Sequence, residues 1–190
     1  LIYDEAQTMR SLINDGLTLS KLDEAAFEND GATAINLYAV AQRVAGRLSS
    51  FADDQGVRVR VEGASACIAG SETLAEEMLY NLIENGIRYN HEGGLVTMKV
   101  GSECVEGGLA NAAYQTVVRV SDTGPGIPAE LHDKVFERFF RVDKSRSKET
   151  GGTGLGLAIV KHAVMYHGGV IEVESAEGQG TTFVLRFPSA

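Results

Sequence analysis

Apolar residues recur along the chain with two different periods, and the switches between them mark out its elements. Ile2, Ala6, Met9, Ile13 and Leu17 follow one another at spacings of four or three, with Leu12 and Leu19 beside them, which predicts a helix of coiled-coil type over residues 1 to about 24. The polar run Glu28-Asn29-Asp30-Gly31 ends that stripe and reads as a linker. A second amphipathic helix is predicted over 37–54, and Val57, Val59 and Val61 alternate with Arg58 and Arg60 as in a half-buried strand. Ser71 can cap a helix running to about Tyr89, followed by strands around Val96–Val100 and Val117–Val120. Residues Leu155–His167 are helical in pattern and are closed by Gly168-Gly169. Val170–Ser175 and Thr182–Phe187, around Glu177-Gly178-Gln179-Gly180, predict a β-hairpin. Helices and strands in this order predict a mixed α/β layer.

Composition narrows the range of partners. A chain of 190 residues, 44% hydrophobic and 23% charged, supports one principal domain with a small appendage. Its net charge of −9 argues against nucleic acid and acidic lipid, which need a basic surface, so any anionic ligand has to be met locally. Cys67 and Cys104 form no C-x-x-C pair and have no histidine at zinc-finger spacing, so neither a disulfide framework nor structural zinc is signalled and a reducing cytoplasm is expected. No apolar run approaches the roughly 18 residues of a bilayer span, and the first residues lack a signal-peptide pattern. The chain is therefore expected to be soluble and to make no membrane contact itself.

Four segments carry chemistry. Asn81, Asn85 and Arg88 stand at i, i+4 and i+7 of one predicted helix, a polar face on a segment otherwise built to pack. Amide oxygens are neutral hard ligands that suit Mg²⁺ shared with phosphates, although an isolated N-x-x-x-N is far more often a pair of solvated helix-surface amides, so alone the motif is weak. Asp122-Thr123-Gly124-Pro125-Gly126-Ile127-Pro128 follows an apolar strand. Its carboxylate can accept an exocyclic amine while the glycines let backbone approach a flat ring, a combination suited to adenine; an ordinary turn uses the same residues.

Gly151-Gly152-Thr153-Gly154-Leu155-Gly156-Leu157 runs straight into a helix, so free N–H groups can close around phosphate oxygens at a helix start. It lacks the Gly-Lys-Ser/Thr ending of a P-loop and the acidic partner of a dinucleotide fingerprint. Between these segments lies Phe136-Glu137-Arg138-Phe139-Phe140-Arg141-Val142-Asp143. From Lys134 to Lys148 basic residues outnumber acidic ones in a chain that is acidic overall. This basic, glycine-ended stretch reads as a lid over polyphosphate, with the three phenylalanines as core anchors for its base.

The ordered set N-L-I-E-N-G-I-R-Y, D-T-G-P-G-I-P, F-E-R-F-F-R-V-D, G-G-T-G-L-G-L-A-I-V-K and G-Q-G-T-T-F closely resembles the N, G1, F, G2 and G3 boxes of bacterial sensor histidine kinases, over about residues 35–188. The resemblance implies the Bergerat ATP-binding fold shared with gyrase, mismatch-repair proteins and heat-shock chaperones: an α/β two-layer sandwich, its mixed sheet carrying helices on one face. It also implies that residues 1–27 are the end of a coiled-coil dimerisation helix, 28–33 a linker and 34–190 the catalytic ATP-binding domain. The implied cofactors are ATP and Mg²⁺. Asn85 would hold the metal with Asn81 assisting, Arg88 would lie near the phosphates and Tyr89 against adenine. Asp122 would accept the adenine amine, Gly124, Gly126 and Ile127 would line the base pocket, and Thr181 would brace Asp122 through a water. Gly152, Thr153, Gly154, Leu155, Gly156 and Leu157 would hold the triphosphate, and Arg141 would reach the γ-phosphate.

The same resemblance implies a protein-histidine kinase that works as a homodimer in its full-length form and passes phosphate to an aspartate of a response regulator, anchored in the cell membrane with this domain on the cytoplasmic side. The family's H-box is absent, for His91, His132, His162 and His167 all fall inside the catalytic domain, so the acceptor histidine is expected upstream of Leu1. Three rivals remain. A hydrolytic relative carries glutamate one turn before the metal asparagine, where this chain has Asn81, a poor general base. A serine kinase of the anti-sigma type normally lacks a long N-terminal helix, and a nucleotide-sensing module without transfer would not need Asn85, Asp122, Arg141 and the glycine loop all intact.

Overall fold

The computed structural model describes Gly16 and residues 33–105, 113–142 and 152–190. The expected dimerisation helix, apart from the helical Gly16, and the expected linker, apart from Thr33, lie outside the described residues, as does the polar stretch of the expected lid beyond Val142.

Thr33 opens β1 (Thr33–Asn36), which leads into α1 (Leu37–Arg47). The Asn36 side chain caps that helix, accepting from the N–H groups of Tyr38 and Ala39 at 3.1 and 3.3 Å. The single helix expected over 37–54 is two helices, for Leu48 turns with φ −91° and ψ 0° before α2 (Ser49–Asp54). The Ser49 hydroxyl donates to the Gly46 carbonyl at 2.9 Å, a local alternative to helical bonding. β2 (Arg58–Gly63) and β3 (Cys67–Gly70) follow, and β3 pairs antiparallel with β1, Ile68 opposite Ile35. This small sheet was not predicted.

The remaining elements are α3 (Glu72–Arg88), β4 (Leu95–Val105), β5 (Ala113–Asp122), short 3-10 turns at Ala129–Leu131 and Lys134–Phe136, α4 (Gly156–Tyr166), β6 (Val170–Ser175) and β7 (Thr181–Pro188). The main sheet has the order β2-β4-β5-β7-β6; β2 runs parallel to β4 and the other pairs are antiparallel, so the sheet is mixed as expected.

Alternation along the strands decides its two faces. Val96, Met98, Val100, Val118, Val120, Phe183, Leu185 and Phe187 are buried under α1, α3 and α4. Each large side chain so buried contributes about 1.5–3 kcal/mol relative to exposure. The opposite face carries cross-strand ion pairs, Arg119 with Glu103 and Arg186 with Glu172, each at 2.6 Å. Such exposed pairs contribute little, about 1 kcal/mol at most, so the helix-covered face holds the domain together. The two-layer α/β sandwich is the observed architecture.

α3 and α4 lie side by side and antiparallel. The start of α4 touches the middle of α3 at Asn81, and His167, just past its end, meets Ser71 at the start of α3. That arrangement brings the glycine loop to the polar face of α3.

Candidate nucleotide site

The middle of α3 supplies one wall of a cleft of about 690 Å³, a volume typical of small-molecule sites. Met78, Leu79, Leu82 and Ile83 turn into the core, which leaves Asn81, Asn85 and Arg88 on the cleft side. Asn81 is only 8% exposed, and its Nδ2 donates to the Glu77 carbonyl at 2.9 Å. It is therefore a fixed buried amide and not a solvated surface one. Arg88 is oriented by Glu84, one turn earlier, at 2.6 Å and lies over the Phe51 ring at 5.5 Å.

The end of β5 supplies the second wall. The Oδ1 of Asp122 accepts from the Gly124 N–H at 2.8 Å and from the Thr181 N–H at 3.3 Å, so Oδ2 is the oxygen left to a ligand. Burial pushes the Asp122 carboxyl above its ordinary range, and the two N–H groups oppose that rise. Thr181 was expected to reach Asp122 through a water; its backbone bonds the carboxylate directly, while its hydroxyl lies 3.0 Å from the Ser175 hydroxyl. Ser175 in turn accepts from the Ile127 N–H at 2.8 Å, which fixes the loop containing Gly126 against the β6–β7 hairpin.

The glycine loop closes the third side. Arg141 donates to the Gly152 carbonyl at 2.6 Å, the Thr153 hydroxyl accepts from the Leu155 N–H at 3.2 Å, and the Gly154 carbonyl accepts from the Phe139 N–H at 2.9 Å. Gly156, Leu157 and Gly154 line the cleft, whereas Leu155 is 2% exposed and packs with Ile159 against Leu74. Leu155 thus anchors the loop from beneath. Tyr89, 45% exposed, stands between the two ligand-facing loops: a Cβ on Gly124 would lie 2.9 Å from its carbonyl, and one on Gly152 2.9 Å from its hydroxyl.

The three phenylalanines do not act alike. Phe136 packs edge-on against Phe183 with ring centroids 6.2 Å apart, and Phe140 lines the cleft. Phe139 is 65% exposed, held at φ 64° beside Gly154, so it is not the core anchor the sequence suggested. A non-glycine residue at positive φ stores strain that its neighbours must hold in place, and here the bond to Gly154 does so.

Two contributors gain their roles only from the fold. Asn90 ties the end of α3 to the loop after β5: its Nδ2 donates to Gly86 and Leu95 carbonyls at 3.1 and 3.3 Å, and its Oδ1 accepts from the Thr123 hydroxyl at 3.0 Å. Gly180, at φ 77°, lets the hairpin meet Asp122 closely, since a Cβ there would lie 2.0 Å from the Asp122 carbonyl oxygen. Asn after a helix and Gly in a hairpin are ordinary turn residues, so Asn90 does not stand out in the sequence and Gly180 enters there only within the G-Q-G-T-T-F motif.

The donor set fits a nucleotide with a divalent cation. An acceptor carboxylate with a free oxygen suits an amine-bearing ring, helix-start N–H groups suit phosphates, and one neutral amide oxygen from Asn85 suits a Mg²⁺ ion that keeps waters and phosphate oxygens.

Residues 70–190 match the family described as Histidine kinase-, DNA gyrase B-, and HSP90-like ATPase. The sensor protein IrlS of Burkholderia pseudomallei is 38% identical over 98% of this chain, and this chain spans 38% of IrlS. Among solved structures, the mycobacterial sensor histidine kinase MprB superposes with a TM-score of 0.68 at 26% identity, covering 83% of this chain and 97% of that one. Full-length ShkA in complex with AMPPNP superposes with a TM-score of 0.77 at 28% identity, covering 98% of this chain and 37% of that one. The fold, the ordered motifs around one cleft and the family match over most of the sandwich agree: the chain belongs to the ATPase family of histidine kinases, DNA gyrase B and HSP90.

Proposed function

We propose that this chain is the catalytic part of a two-component sensor histidine kinase, binding Mg·ATP and transferring its γ-phosphate to a histidine outside the domain, for relay to a response-regulator aspartate. The observation that carries the choice among family members is Asn81. A water-activating base is needed one helical turn before the metal-binding asparagine for hydrolysis, and a buried amide locked to the Glu77 carbonyl cannot accept a proton. The similarity to sensor kinases along nearly the whole chain supports the same reading.

In this mechanism the chain's own residues position and neutralise. Asp122 orients the base, Asn85 holds Mg²⁺ with Asn81 packed beside it, and the N–H groups from Gly152 to Leu157 meet the phosphates. The Arg88 and Arg141 guanidiniums offset charge on the polyphosphate. Mg²⁺, when bound, neutralises charge on the phosphoryl oxygens. Tyr89 and Ile127 flank the base. None of the four histidines suits the acceptor role: His167 is 7% exposed, the His132 ring is bonded to the Ile127 carbonyl at 3.1 Å, His91 sits in a turn, and His162 lies in the middle of α4.

Residues 1–27 are read as the end of a dimerisation helix and 28–33 as a linker, so the full-length protein works as a homodimer on the cytoplasmic side of a membrane. Among the described residues no helix is long and apolar enough to cross a membrane. Measuring ATP turnover tests the choice within the family: the chain should bind Mg·ATP yet hydrolyse it slowly, and rapid steady-state hydrolysis would reassign it to the gyrase-like branch.

A further inference from the structure

His167 lies outside the cleft, at the far end of the α3–α4 pair, and is buried at 7% exposure. Its Nδ1 is 2.6 Å from the Ala163 carbonyl, which can only accept, so Nδ1 carries the hydrogen. Its Nε2 lies 3.3 Å from the Ser71 N–H and 3.2 Å from the Ser71 carbonyl, so the ring meets both backbone polar groups of that residue. Ser71 is the N-cap of α3, and His167 is the C-cap of α4. Gly70, at φ 144°, makes room for the ring, since a Cβ there would lie 2.3 Å from the imidazole Cδ2. Tyr166 and Phe187 hold the ring edge-on with centroids 5.1 and 6.3 Å away.

We propose that His167 is a positioning residue for phosphate and metal binding: by tying the start of α3 to the end of α4 it fixes the axial register of the two helices, and with it the position of the glycine loop relative to Asn85. The helix pair touches closely at two points. At the cleft end Gly156 abuts Asn81 and Asn85. At the other end His167 bonds Ser71. From Ser71 to Asn81 and from Gly156 to His167 the helices run about 15 and about 16 Å, so the two contacts lie at matching heights. Between them the contact is apolar, with Ile159 of α4 packed against Leu74 of α3. Apolar packing is non-directional and tolerates sliding, whereas a hydrogen bond between helix ends does not.

This inference rests on the reading of the cleft as a Mg·ATP site, and it predicts a split between two parts of the ligand. Adenine is met by Asp122 on β5, the loop after it and Tyr89 at the end of α3, none of which lies on α4. The triphosphate is met by both helices. His167→Phe keeps an aromatic ring and loses the polar contacts to Ala163 and Ser71. It is expected to weaken binding of Mg·AMPPNP by about tenfold or more while leaving adenosine affinity within about twofold. Exchange of the Ser71 amide hydrogen, followed by NMR below the unfolding midpoint, should accelerate. His167→Gln, which keeps an amide oxygen for the Ser71 N–H, should recover Mg·AMPPNP affinity to within about threefold of the parent. It also serves as the test variant if the phenylalanine variant does not fold, for then its adenosine and Mg·AMPPNP affinities should both stay near the parent's. Equal weakening of both ligands in either variant, or unchanged Mg·AMPPNP affinity in His167→Phe despite faster Ser71 exchange, would overturn the proposal. Absence of Mg·AMPPNP binding by the parent chain would instead remove the functional reading itself.

Discussion

Gly156, the first residue of α4, crosses α3 so closely that a Cβ there would lie 2.7 Å from the Oδ1 of Asn81 and 3.7 Å from the Nδ2 of Asn85. Asn81 cannot yield easily, because its amide is buried and bonded within its own helix. Gly156→Ala therefore sets two effects against each other. Alanine favours a helix over glycine by about 1 kcal/mol at most, less at a first turn, while overpacking costs about 1–3 kcal/mol. The repulsion wins, and the strain falls on the cleft. Calorimetric titration should show Mg·AMPPNP affinity reduced about tenfold or more, with a thermal midpoint changed by only a few degrees.

Asp122 makes opposite contributions to binding and to stability. Its folded-state carboxyl is raised by burial, so between the unfolded and folded values the native state holds the extra proton and stability falls as pH rises. The contribution is favourable below the unfolded value and is lost once the pH passes the folded one. Asp122→Asn removes that buried charge and keeps an oxygen for the Gly124 and Thr181 N–H groups. Chemical denaturation at pH 7 should show a variant as stable as the parent or more so, within about 1 kcal/mol. Nucleotide affinity should nevertheless fall about 10²-fold, because the amide then turns a donor toward the donor amine of adenine. A destabilised variant with normal affinity would contradict this account of the carboxylate.

The sequence made the cleft more legible than the frame around it. Asn85, Asp122 and the glycine loop were visible because their residue types carry chemistry at fixed spacings. The break at Leu48 was not, because Val44, Leu48 and Ala52 keep an apolar spacing of four straight through it. β1 and β3 were invisible for another reason: each has four residues with one fully hidden apolar side chain, Ile35 or Ile68, too few for a period to show. β4 and β5 extend beyond their expected ends through Ser102, Glu103 and Cys104, which are exposed and show no apolar alternation but pair across the ladder with Thr116, Gln115 and Tyr114. The tertiary contacts that decide such segments have no local signature.

Arg141 should separate ground-state binding from transfer. Its guanidinium already holds the Gly152 carbonyl at 2.6 Å, so it sits beside the loop without carrying it alone. Arg141→Ala is expected to keep Mg·AMPPNP affinity within about an order of magnitude while single-turnover transfer drops about 10²-fold or more. Collapsed binding with normal transfer from the bound complex would make Arg141 a ground-state anchor.

Asn85→Asp adds a negative charge where Asn85 offers a neutral oxygen beside the triphosphate, changing both repulsion and cation geometry. Transfer to a supplied acceptor should fall steeply at saturating Mg·ATP, and titrating Mn²⁺ in place of Mg²⁺ should change the size of the loss. Full transfer activity would move the cation away from α3.

The central claim, a kinase whose nucleophile lies outside this domain, is tested by one labelling experiment. The chain is incubated with Mg²⁺ and γ-labelled ATP, with and without a separate two-helix hairpin carrying the acceptor histidine of the parent kinase. Label that is acid-labile and alkali-stable should appear on the hairpin, with none on His91, His132, His162 or His167 of the domain itself. Phosphate stable to acid, on serine of the added protein, or acid-labile phosphate on the domain alone, would contradict the account.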